Sequence, residues 1–207
     1  RHKDYAKLLK DSGCRMVAFG IESGSDRVRN ELLKKRVRNE DILLAASMLH
    51  DSGIKFRAFN IMGLPGETLN DAYETIQLNI DIKTDYPWCA IYLPLKDTAL
   101  ADYALKDKEL PRDYFNSINK RSFFSGSSPL KTEGIEKLVN LQRFFQTAIW
   151  WPRTFPLIKL LIRFPPNPIF NLWFGFIFYI VYIKSEGRSW WKTFLFAVKS
   201  YSSTTRK

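Results

Sequence analysis

Cysteine is scarce in this chain: its 207 residues contain two, Cys14 and Cys89. Two thiols so far apart in sequence exclude a disulfide-framed secreted scaffold and any Cys-x-x-Cys metal knuckle. Histidine is equally rare, with only His2 and His50, so a His-Glu-x-x-His zinc helix is excluded. The sequence also lacks a nucleophile elbow, a Gly-x-Gly-x-x-Gly turn and a Walker loop, which removes those hydrolase, dinucleotide and P-loop readings. Acids are nearly absent from the last quarter. From Arg153 onward there are nine cations and a single acid, Glu186, although the net charge of the whole chain is +11. What is present is ordinary for a folded domain: 45% hydrophobic and 26% charged residues, enough to bury a core.

The first hundred residues alternate between strand and helix patterns. Residues 4–12 place Tyr5, Leu8 and Leu9 on one helical face, and Gly13 offers a left-handed stop. The apolar run 14–21 suits a strand buried on both faces. Asn39 is a candidate N-cap, with Glu40 and Asp41 where a helix dipole favours acids. Ile42, Ala45, Ala46 and Leu49 follow at helical spacing, and Gly53 ends the helix. Residues 54–62 form the next strand. Thr68 and Asp71 make a capping box ahead of the stripe Tyr73, Ile76, Ile80. Residues 88–93 form a third strand. Strand starts separated by roughly 35–40 residues match βαβ units, which implies parallel strands joined by right-handed crossovers.

Parallel sheets collect ligands at the carboxyl ends of their strands. Three loops lie there: Gly20-Ile-Glu22-Ser-Gly-Ser25, Gly63-Leu-Pro-Gly-Glu67, and Pro94 to Thr98. In the first, glycines let a ligand approach the backbone, and a carboxylate can accept two hydrogen bonds from a ribose diol or an ammonium. The second is a preformed turn. Each alone could be a tight strand-to-helix connection; their recurrence at consecutive strand ends points to a ligand site. Tyr92, at a strand end, could meet a substrate or simply pack. Asp81 and Asp85 read as a solvated helix end, and His50 as structural or solvent-facing.

Phe19-Gly-Ile-Glu-Ser-Gly-Ser25, followed by Asn60-Ile-Met-Gly-Leu-Pro-Gly-Glu-Thr68, resembles radical S-adenosylmethionine enzymes, and within them the subgroup with a cobalamin-binding domain. The resemblance covers about residues 1–105. It implies an α/β fold, a partial (β/α) barrel fragment whose parallel strands would be the fourth to sixth, followed by an α-helical tail. It implies S-adenosylmethionine as cofactor, with Gly20, Glu22, Ser23, Gly24 and Ser25 at its ribose or polar end. Asn60, Ile61, Met62 and Gly63 would line the adenine with backbone and apolar contacts, and Glu67 would cap or brace the following helix. The catalytic residues are not identified by it.

The family's Cys-x3-Cys-x2-Cys loop, whose thiolates hold three irons of a [4Fe–4S] cluster, has no counterpart here. No metal ligands are therefore assigned, and Cys14 and Cys89 read as small buried hydrophobes. Pro94-Leu-Lys-Asp-Thr98 also departs from the subgroup's Pro-x-Pro-Gly-Thr. Together with Arg at position 1, this leads to the expectation of a fragment, with the cluster and cobalamin held upstream in a complete protein and this chain inactive alone. The rival reading is a non-catalytic βα ligand-binding or scaffold module.

The chain divides into 1–105, the barrel half; 106–132, a turn-rich connector; and 133–207, a basic, aromatic tail. The tail predicts a helix over 133–151, a short apolar stretch 157–164, prolines, and a run at 169–183 without charge. Fifteen residues fall short of the about 20 that span a bilayer. Tryptophans and cations around that run suit an anionic membrane surface. Packing against upstream domains, a partner protein and nucleic acid are the alternatives, the last disfavoured because the cations are interleaved with Phe and Trp and no nucleic-acid module is present. The expected partners are S-adenosylmethionine and a small-molecule or lipid substrate. The expected location is the cytoplasm, peripheral to the inner membrane face.

Overall fold

The computed structural model describes residues 4–116, 127–187 and 189–191. Three parallel strands form one sheet in the order β1 (Met16–Glu22), β2 (Lys55–Met62), β3 (Tyr86–Ile91). The α/β fold with a helical tail is therefore as the sequence implies. Helix α1 (Tyr5–Asp11) precedes β1, and Gly13 stops it in the left-handed region at φ 86°. A wide π-helical segment, Arg27–Leu32, and α2 (Asn39–Asp51) connect β1 to β2. Asn39 is not the N-cap; Arg38 holds that place, and Asp41 Oδ2 accepts from its backbone N at 3.4 Å and its Nε at 3.1 Å. Helix α3 (Leu69–Asp81) connects β2 to β3 and begins with the expected Thr68–Asp71 capping box. Strand β3 starts two residues earlier than its sequence suggests. Pro87 is tolerated because β3 pairs only with β2 among the described residues, so no ladder bond on its far side is lost.

Strand alternation gives the sheet two faces. Phe56, Ala58, Asn60 and Met62 point to the helical layer, where Phe56 and Ala58 pack with Ile42, Ala46 and Leu49 of α2. Met16, Gly20, Arg57, Phe59, Ile61 and Trp88 lie on the opposite face, where Gly20, Phe59 and Trp88 are direct cross-strand partners. Asp85, read as solvated, accepts from Phe56 N at 3.1 Å and contacts His50 Nε2 at 3.1 Å, stitching β2, β3 and α2 together.

After β3 come α4 (Ala99–Lys106), capped by Thr98, and then α5 (Ile135–Arg143) and α6 (Phe145–Trp150). The single helix expected over 133–151 is thus two. Gly134 at φ 76° delays its start, and the break at Phe144 lets Phe144, Phe145, Ala148 and Ile149 all join one core with Met62, Cys89 and Ile91. Helix α7 (Phe155–Leu161) and helix α8 (Pro168–Glu186) complete the described tail. Residues 192–207 of the expected tail, and 117–126 of the connector, lie outside the described residues.

Helix α8 is longer than the uncharged run suggested. At 19 residues it is long and apolar enough to cross a membrane by length and composition. It is nevertheless fastened along its length. Arg143 Nε donates to Asn171 Oδ1 at 2.8 Å, Trp173 Nε1 to Thr147 Oγ1 at 2.9 Å, and Arg57 Nη2 to Ser185 Oγ at 2.6 Å and Glu186 Oε1 at 2.9 Å. Phe178 meets Trp88 edge-on, and Ile177 and Val181 pack with Tyr86 and Met16, so the second half of α8 lies across the sheet face that carries Met16 and Trp88.

Candidate cofactor site

At its carboxyl end β1 carries one residue too many for its partner. Gly20 pairs with Phe59, but Glu22 pairs with Asn60, so the ladder bulges there. The bulge puts Glu22 at φ 66°, a left-handed conformation that is uncommon for a residue with a side chain. Its carboxylate folds back over Gly20: a Cβ on Gly20 would stand 2.0 Å from Glu22 Oε1. A side chain at Gly20 would displace the Glu22 carboxylate, so this glycine serves the placement of Glu22 through contact, not backbone freedom. Lys35 Nζ donates to Gly20 O at 2.9 Å and to Glu22 Oε1 at 3.0 Å. Glu22 remains 24% exposed, enough for a ligand to reach it.

The rest of the first loop is tied into the fold. Ser23 Oγ and Gly24 N both bond Thr75 Oγ1 of α3, at 3.2 and 2.9 Å. Ser25 Oγ donates to Asp71 Oδ1 at 2.6 Å. Both serines are buried, and their hydroxyls are engaged within the loop and with α3. Gly24 lies so close to α3 that a Cβ would meet Glu74 O at 2.4 Å. Arg29, completely buried, donates to Ser23 O and Val37 O at 2.9 and 2.8 Å. Burial lowers its pKa, with Asp26 partly opposing.

Asp71 joins the first loop to the second. Besides Ser25, its carboxylate accepts from Arg27 Nη2 at 2.6 Å and from Thr68 N and Oγ1 at 2.8 and 2.6 Å. Arg27 also reaches Gly66 O at 2.9 Å. Burial alone would raise the Asp71 pKa, but the bonds from Arg27, Ser25 and Thr68 outweigh it and hold the carboxyl at about 2.

In the second loop Gly63 and Gly66 both have positive φ, 74° and 68°. Glu67 Oε2 accepts from Gly63 N at 2.5 Å and Leu64 N at 3.0 Å. Glu67 thus braces its own turn, while Thr68 caps the helix it was expected to support. Its other oxygen, Oε1, is buried without a hydrogen-bond partner. Burial pushes its pKa up to about 8 against those two backbone bonds.

The side chains of Asn60 and Met62 point into the helical layer. Asn60 Nδ2 donates to Ala58 O and Trp88 O, and its Oδ1 accepts from Asn79 Nδ2 of α3. Met62 is fully buried in the helical core. Strand alternation leaves Ile61 as the side chain of this segment on the side of Gly20 and Phe59. Nearby, a cavity of about 580 Å³ opens between Leu32–Lys34 and the β3–α4 loop, bordered by Tyr92, Leu95 and Tyr103. Burial pushes the Tyr92 hydroxyl up to about 12.

Residues 1–78 match the Radical SAM superfamily. An uncharacterized methyltransferase of Pyrococcus horikoshii is 31% identical over 105 residues, 51% of this chain and 23% of its own length. A tRNA-2-methylthio-N(6)-dimethylallyladenosine synthase of Clostridium beijerinckii is 30% identical over 89 residues, 42% of this chain and 20% of its own. The enzyme of that name from Deinococcus radiodurans is 26% identical over 131 residues, 63% of this chain and 22% of its own. The matches span less than a quarter of these relatives' lengths, and they support a radical SAM family.

A radical SAM family implies S-adenosylmethionine and an iron–sulfur cluster. The cysteines here do not fit the cluster. Cys89 is buried in β3 with its thiol pushed well up by burial, and Cys14 bonds Met16 O. No group of three metal-ligating side chains occurs among the described residues. Sequence reasoning missed Lys35 and Arg29. Lys34 and Arg36 are both left-handed, φ 54° each, and Lys35 between them turns in to Gly20 O and Glu22 Oε1.

Proposed function

We propose that the chain is part of a radical S-adenosylmethionine enzyme and contributes cofactor binding and substrate orientation. The observation that carries this reading is the end of β1. Glu22 is bent over Gly20, holds Lys35 with one oxygen, and presents a partly exposed carboxylate at a strand end. Such a group can accept both hydroxyls of a ribose diol through charge-assisted bonds of about 1.5–3 kcal/mol each. Ile61, on the same sheet face, supplies an apolar wall for the adenine ring. Backbone amides of the Gly63 turn are already held by Glu67, so that turn contributes shape more than donors.

Reductive cleavage of S-adenosylmethionine belongs to a cluster that this chain's cysteines do not hold, and no step is assigned to its residues beyond binding and orienting. The relatives' names support methyl or methylthio transfer as the reaction class; the tRNA in those names is said of the relatives. Cobalamin dependence is the finer reading, and it rests on the paired loop motifs at 19–25 and 60–68.

Calorimetric titration with S-adenosylmethionine tests the assignment. Glu22→Gln is expected to weaken binding by at least about tenfold. Unchanged affinity would remove Glu22 from the cofactor site. After reconstitution with iron and sulfide, this chain is expected to form no 5′-deoxyadenosine, and its formation would overturn the division of labour.

A further inference from the structure

Helices α7 and α8 bury one side and leave the other apolar. On α8 the inward residues Phe174, Ile177 and Val181 pack against the body. On the opposite side of the helix, Ile169, Leu172 and Phe176 are 73%, 74% and 58% exposed. Leu157, Leu160 and Phe164, on and just after α7, repeat the pattern. A soluble surface helix normally turns polar residues outward, so consecutive exposed apolar stripes mark a contact face.

Charge identifies the occupant. Arg153 and Arg163 flank the stripe on α7 and are exposed. From Arg153 to Gly187 the sole acid, Glu186, is engaged by Arg57. A second copy of the chain would bring like cations together across a two-fold contact. An anionic lipid surface complements both features, since it accepts apolar side chains below and cations at the headgroups. Hydrogen bonds to Arg143, Thr147 and Arg57 tie α8 to the body near both of its ends, so crossing the bilayer would strip them.

We infer that the outer face of α7 and α8 docks in the plane of an anionic membrane surface without crossing it. This inference does not depend on the radical SAM reading. Vesicle flotation of the full chain tests it, using phosphatidylcholine vesicles with and without phosphatidylglycerol. Binding is expected to the anionic vesicles, to weaken with salt without vanishing, and to fall at least about tenfold in the double variant Leu172→Gln, Phe176→Gln. Should that variant fail to fold by circular dichroism, Arg153→Glu with Arg163→Glu decides the matter, with a similar loss expected. Equal recovery with and without anionic vesicles would overturn the inference, as would unchanged flotation of the variants. Resistance to carbonate extraction would establish a spanning helix instead. A dimer that the Leu172, Phe176 variant dissolves, without vesicle binding, would assign the face to a second copy.

Discussion

Lys35 Nζ bridges Glu22 Oε1 and Gly20 O, at 3.0 and 2.9 Å, so one ammonium fixes both the carboxylate and the backbone it folds over. Lys35 thereby positions Glu22. Lys35→Met is expected to weaken S-adenosylmethionine binding by several-fold, less than Glu22→Gln, because the carboxylate survives but loses its orientation. Lys35→Arg should recover part of the loss. Titration calorimetry reads both effects, and an unaltered affinity in Lys35→Met would refute the positioning role.

The two glycines of the first loop should respond differently. In Gly20→Ala the new methyl meets the far end of a flexible side chain, so Glu22 swings away, stability changes little and cofactor binding falls. In Gly24→Ala it meets the backbone of α3, which cannot yield, and a loss of about 1–3 kcal/mol of stability is expected. Chemical denaturation beside calorimetry separates them.

Asp71 holds Ser25, Arg27 and Thr68 at once. Its carboxyl is depressed to about 2, so its contribution is present above the ordinary carboxylate pKa and is lost as pH falls through 2. Asp71→Ala removes a helix cap and leaves buried donors unpaired, with an expected loss of about 2–4 kcal/mol at neutral pH. Denaturant midpoints check this value, and a neutral substitution would contradict the hub.

Glu67 has the opposite sign. Its folded pKa is raised to about 8, so its protonated form is favoured by folding. That contribution is full below about 4.5 and declines as pH rises through 8. Glu67→Gln keeps an acceptor for Gly63 and Leu64 without a charge. Its Tm is expected to match or exceed that of the parent at pH 8, with a flatter profile from pH 5 to 8. A profile identical to the parent's would show that Glu67 does not titrate in this window.

Much of this arrangement is legible in the sequence because it is local. The spacing of apolar runs identifies three parallel strands, and Gly13 and Gly53 mark helix ends through the left-handed backbone they allow. Thr68 and Asp71 announce a cap because the bonds involved span three residues. The paired loops at 19–25 and 60–68 carry the resemblance to radical S-adenosylmethionine enzymes before any coordinates are considered. Directions and distant partners are another matter. That Asn60 and Met62 face the helices, that Ser23 and Ser25 are enclosed by α3, and that Lys35 turns in to Glu22 depend on register, a β-bulge and contacts across the chain. Local propensity carries none of these, because each is decided by which surfaces meet when the strands pair and the helices close over them.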